Sequence, residues 1–290
     1  MTEKTLETAE ADVVFDVDGP IPTKDGRPLL FMIGQPMTAD GFKTLASFFP
    51  DRTVVRYDPR GLGRSVRKDG RVDNVPAVQA GDLHTIIQEL GAGPVDMFAS
   101  SGGAVTALAL VAGHPDDVAT LVAHEPPMYT VLPDADAAKQ ARADVVGAYE
   151  AGGWGVGMAA FIAMTSWRGE FTDDYFAKPD PDPSQFGMPV DDNGARDDPI
   201  LSDRSEPVIG YTPDFKALAA ARTRIVIAAG EESKDTFTWR ASEATAEKLG
   251  QEVTVFPSHH GGFNGGEGPY AGKPEEFARK LREVLDSKQA

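Results

Sequence analysis

Short apolar runs separated by longer segments of helical period set the pattern of the chain. Runs at 29–33, 53–57, 95–99, 118–123, 224–229 and 252–256 are apolar or β-branched and have the length of strands. Between them, 41–49, 75–90, 102–112, 237–249 and 274–285 follow the helical period. That alternation predicts an α/β fold: a mostly parallel central sheet flanked by helices. The run ADVVFDVDG near the N-terminus adds a candidate antiparallel edge strand.

The rhythm stops between Pro126 and Arg222, where strand signals give way to two tryptophans, several phenylalanines and the stretch KPDPDPSQFGMPVDDNG. In a chain of 290 residues this points to one large core, 1–125 with 223–290, carrying an inserted helical cap over 126–222. Trp154, Met158, Phe161 and Thr165 recur at helical spacing, a face that lines a pocket or packs on the core. Met128, Trp154, Met158 and Phe161 are the candidate substrate contacts of the cap.

Charge narrows the partners. Forty-five acidic against 28 basic side chains give a net charge of −17, which repels the phosphates of nucleic acid and anionic lipid. With no cysteine there are no disulfides, no thiol nucleophile and no thiolate metal site. No run approaches the ~18 apolar residues of a membrane span, and MTEKTLETAEADVV lacks a signal-peptide core. A soluble, cytoplasmic protein is expected, with no nucleic acid or membrane partner; a homo-oligomer is compatible with the sequence.

The stretch FASSGGAVTALAL joins a strand candidate to a helix candidate. A serine hydroxyl is a weak nucleophile, so it needs a sharp turn where a base reaches it and backbone N–H groups face the developing oxyanion. Ser101 has small residues two before and two after it, Ala99 and Gly103, matching a G-x-S-x-G elbow with alanine in the first place. Ser100 is flanked instead by the bulky Phe98. The competing assignment is a serine N-cap for the helix that starts at Gly102.

A base must arrive at the carboxyl edge of the sheet, where Ser101 lies. Of five histidines, His84 sits mid-helix and His114 precedes Pro115 at a helix end, both structural positions. The stretch VTVFPSHHGGF supplies His259 and His260 just past the last strand candidate. GLGRSV and GAGPVDM lack the context of a dinucleotide site, and adjacent histidines on an extended chain are poorly placed to chelate jointly, so neither cofactor nor metal is expected.

Taken together, these segments resemble the α/β-hydrolase superfamily. PSHH is similar to its Pro-Gly-x-His run, with His260 in the histidine place; LLFMIGQPM resembles its oxyanion loop; YDPRGLGRS resembles the loop after its fourth strand. The resemblance implies a catalytic Ser101 and His260, with the backbone N–H groups of Gln35 and Gly102 as oxyanion donors. At the usual place of the acid, in IVIAAGEESKD, stands Ser233. Two alternatives remain: Glu231, Glu232 or Asp235 in that loop, or Glu125 in TLVAHEPP, at the end of a strand next to that of the serine.

The Ser101, Glu125 and His260 set is similar to the triad of lactonases that open the fungal toxin zearalenone. It implies a cofactor-free hydrolase for a carboxylic ester or lactone, with a bulky apolar macrolactone as the first substrate to test. The same fold also serves C–C bond hydrolases, cofactor-free peroxidases and non-catalytic receptors for small hydrophobic ligands.

Overall fold

The computed structural model describes residues 1–267 and 270–287. Among these, nine strands make one sheet: β1 (Thr2–Glu7), β2 (Ala11–Asp18), β3 (Leu30–Gln35), β4 (Val54–Tyr57), β5 (Val66–Arg67), β6 (Val95–Ser101), β7 (Val118–His124), β8 (Arg224–Gly230) and β9 (Thr254–Phe256). Their order is β1-β2-β4-β3-β6-β7-β8-β9, with β5 paired on β2. Strands β4, β3, β6, β7, β8 and β9 pair in parallel, whereas β2 runs antiparallel to β1, β4 and β5.

The helices are α1 (Lys43–Ser47), α2 (Pro76–Leu90), α3 (Gly102–Gly113), α4 (Ala135–Ser166), α5 (Asp173–Phe176), α6 (Glu206–Ile209), α7 (Phe215–Ala220), α8 (Phe237–Lys248) and α9 (Pro274–Asp286). Side chains alternate across a strand with period two, and the two faces fill separately. Phe31, Ile33, Met97, Ala99, Leu121 and Ala123 meet Leu83 of α2, Leu108 of α3 and Ala241 of α8 on one face. Leu30, Met32, Phe98, Val122 and Val226 meet Leu45 of α1 and Phe277 and Leu281 of α9 on the other. Burial on both faces is why the inner strands read as continuous apolar runs.

Two expectations change. The antiparallel strand expected at the edge is β2, and it lies inside the sheet, because its nearly continuous buried residues need a neighbour on each side. The edge is β1, whose exposed TEKTLE carries no apolar run to read. The helix expected over 41–49 divides into a 3₁₀ turn, Ala39–Phe42, and the short α1.

Between β7 and β8 the chain forms α4 to α7. Helix α4 breaks its helical geometry at Gly153 (φ 77°, ψ −167°), directly before Trp154. No helix among the described residues is long and apolar enough to cross a membrane.

Candidate active site

Strand β6 ends on Ser101, held at φ 57° and ψ −131°, a conformation that non-glycine residues rarely adopt and that costs of order 1–3 kcal/mol. The next two residues explain how the turn is packed. A Cβ on Gly103 would stand 2.6 Å from Gly34 Cα, and one on Gly102 would stand 2.9 Å from the Gln35 carbonyl oxygen. Only glycines let the start of α3 come this close to the end of β3. The positive end of the helix, with its free N–H groups, therefore lies beside Ser101. Gln35 is in register with Ser101 across the β3/β6 pair, so Gln35, Ser101 and Gly102 are brought together. Ser100, one residue back on the alternating strand, is buried.

Glu125 follows β7 at φ 50°, wholly buried, with its N–H donating to the Ala228 carbonyl oxygen at 2.9 Å. The Gly230 N–H donates to Oε1 at 2.8 Å, and the Thr238 hydroxyl donates to Oε2 at 2.6 Å. His260 Nδ1 donates to the same Oε2, also at 2.6 Å. Burial opposes ionisation of Glu125, but the charge and hydrogen bond of His260, aided by Thr238, hold the carboxyl well below the usual range. Desolvation also disfavours His260 charging, yet the Glu125 carboxylate outweighs it and raises the imidazole above its ordinary 6.5. With Nδ1 committed to Glu125, Nε2 is left as the free nitrogen. The bond from Ser101 Oγ to His260 is not formed in this structure.

The other candidate acids stand at the surface. Glu231 and Glu232 are exposed and pair with Lys273 at 3.5 and 3.1 Å. Asp235 is exposed at φ 65°, and the Ser233 carbonyl accepts from the N–H and the hydroxyl of Thr236. His259 braces its own loop: Nδ1 accepts from the Gly261 N–H at 3.0 Å, and Nε2 donates to the Ala271 carbonyl oxygen at 3.3 Å.

Among the residues before and around Glu125, His124 is fully buried among Phe98, Phe256, Phe263 and Phe277, and burial pushes its imidazole down to about 4. It is neutral at ordinary pH. Gly230 and Thr238 are the residues that sequence reasoning missed. The first was visible as the glycine of AAGEES, but its use as an N–H donor was not; nothing in FTWRAS marks Thr238 as a partner of Glu125.

The four candidate cap contacts all join one apolar cluster. Met128 is fully buried in the core cluster on the α2, α3 and α8 side, and Trp154, Met158 and Phe161 are half-buried against it. The Trp154 indole N–H donates to Asp198 at 3.0 Å.

A second histidine cluster lies at the opposite edge of the sheet, beside the start of β7. His84 Nδ1 contacts Asp117 at 2.6 Å, and the His84 and His114 rings stack at 3.8 Å with planes 13° apart. One ring nitrogen of each histidine and one Asp117 oxygen lie within 4.8 Å of one another.

Strand order, the turn at Ser101 and helices on both faces define the α/β-hydrolase fold. Residues 27–150 match the family model described as alpha/beta hydrolase fold. The chain is 25% identical over 300 aligned residues to an uncharacterized hydrolase of Bacillus subtilis (strain 168), YraK, covering 98% of this chain and 96% of that protein. Among solved structures, a thermophilic esterase from Thermogutta terrifontis aligns at TM-score 0.63 and 20% identity over 98% of each chain. The α/β-hydrolase enzyme MGS-M2 from a Medee basin deep-sea metagenome library aligns at TM-score 0.67 and 16% identity over 99% of each. The chain therefore has the α/β-hydrolase fold, and its residues 27–150 are similar to that family's model.

Proposed function

We propose that this protein is a serine hydrolase of carboxylic esters or lactones that works through an acyl-enzyme. The observation that carries the reading is the buried Glu125, bonded to His260 Nδ1 and sharing the carboxyl edge of the sheet with the strained Ser101. Neutral His260 takes the Ser101 proton at Nε2 as Oγ bonds to the substrate carbonyl carbon. The carbonyl π pair moves to oxygen, where the N–H groups of Gln35 and Gly102 stabilise it. Collapse breaks the bond to the leaving oxygen, which takes the proton from His260. Water then gives a proton to His260 and its oxygen to the acyl carbon, freeing the acid and restoring Ser101. Glu125 stays ionised throughout, fixing the tautomer and stabilising the imidazolium.

This reading requires the Ser101 to His260 bond to form as substrate seats, as catalytic contacts commonly tighten on binding. The similarity to a thermophilic esterase supports ester substrates. The acid's position after β7, sixth along the chain once the two-residue β5 is set aside, supports the finer reading of a macrolactonase acting on zearalenone-like rings. In that reading residues 126–222 act as a cap whose Trp154, Met158 and Phe161 offer apolar contact. Ring opening then gives a single hydroxy acid.

The test is hydrolysis of linear aryl esters, small lactones and zearalenone by the wild type and Ser101→Ala, followed by chromatography and mass. Ester turnover lost in the variant supports the hydrolase, and faster opening of the macrolactone supports the finer reading. No turnover of any of them, with apolar ligands still bound, would make the protein a receptor.

A further inference from the structure

Gln35 has a side chain that its backbone role does not explain. The residue is 4% exposed, yet neither Oε1 nor Nε2 has a hydrogen-bond partner among the described residues. A buried amide left unpaired costs about 1–3 kcal/mol, and most buried polar groups are paired. Its stem packs on the proposed reaction centre: a Cβ on Gly102 would stand 2.9 Å from both Cβ and Cγ of Gln35. The amide atoms lie two bonds beyond Cγ, on the residue paired in register with Ser101.

An oxyanion would take only the Nε2–H and leave Oε1 buried and unpaired, because it has no hydrogen to give. A hydroxyl carries both a donor and an acceptor and can serve either atom. We propose that the Gln35 amide determines specificity by recognising a hydroxyl next to the scissile carbonyl, so that the preferred acyl group is that of a 2-hydroxy acid. This rests on the serine-hydrolase reading and refines its substrate class. A site built to bond a hydroxyl also rejects the analogue without one, since that analogue leaves the protein group unpaired.

The experiment compares p-nitrophenyl lactate with p-nitrophenyl propionate, each rate divided by its rate in hydroxide, for wild type and Gln35→Met. The expected wild-type kcat/KM favours the lactate ester by about tenfold or more, as one hydrogen bond of about 1.4 kcal/mol would give, and Gln35→Met brings the ratio close to one. An equal loss on both esters would assign the amide to the oxyanion and overturn the proposal, as would a wild type without preference. Calorimetric binding of the two esters to Ser101→Ala separates recognition from chemistry. Tighter binding of the lactate ester there, with no turnover by wild type, would keep the recognition and sink the hydrolase. Equal binding there, with wild-type turnover of both esters at one rate, would do the reverse.

Discussion

Two histidine–carboxylate pairs in this molecule have the same 2.6 Å contact at opposite edges of the sheet. At the carboxyl edge of the sheet, Glu125 is wholly buried, takes hydrogen bonds from Gly230, Thr238 and His260, and stands on a strained backbone near the strained Ser101. At the opposite edge, Asp117 joins His84 and Gln88 beside a stacked His114, where no such backbone strain or serine accompanies it. A short contact between imidazole and carboxylate does not by itself define an active site. Both carboxylates are buried; the strained backbone at Glu125 and the serine on a forced turn nearby are what separate the first pair from the second.

The comparison breaks most sharply at Ser101. Ser101→Ala should lower kcat for a hydrolysed aryl ester by on the order of 10⁴–10⁶, with folding intact by circular dichroism. Comparable rates in variant and wild type would remove the nucleophile. Glu125→Gln should cost roughly 10⁴ in kcat, the scale expected when the orienting carboxylate of a triad is neutralised. Near-normal turnover there would reduce Glu125 to a buried structural acid.

The pH profile sharpens the same pair. His260 is a base only when neutral, so kcat/KM falls as pH drops through its pKa, and Glu125 holds that value above 6.5. The acid limb should therefore begin above pH 6.5 and move to lower pH in Glu125→Gln, even as the plateau falls. An unmoved limb would separate the titration from this pair.

Smaller effects follow at the supporting contacts. Thr238→Val removes one hydrogen bond to Oε2 and should reduce kcat about tenfold, with little change in KM, the equivalent of ~1.4 kcal/mol. At the other pair, Asp117→Asn should leave turnover unchanged and cost about 1 kcal/mol of stability in urea unfolding. A tenfold loss of activity from Asp117→Asn would erase the contrast between the two pairs.

Much of the fold could be read because the inner strands are buried on both faces and so are written in apolar residues. β1 could not, since a polar edge strand looks like a loop until β2 needs a neighbour. Ser101 was legible from its small flanking residues, and His260 from its place after the last strand. Between Glu125 and the later loop the chain left a choice, because a carboxylate at either strand end reaches the same edge. The fold separates them: Glu125 is turned inward to His260, while Glu231 and Glu232 face Lys273 at the surface.

The Gln35 side chain shows the other limit. Its sequence motif concerns only the backbone N–H, whereas the unpaired amide is visible only after β3 and α3 pack together. The order of elements, the forced turn at Ser101 and the charge of the surface were determined by local composition, spacing and the steric freedom of glycine, all of which act within a few residues. The pairing of Glu125 with His260 and the burial of Gln35 were decided only by the tertiary structure. Those properties depend on desolvation and on hydrogen bonds between groups more than a hundred residues apart, such as Thr238 to Glu125 and His260 to Glu125.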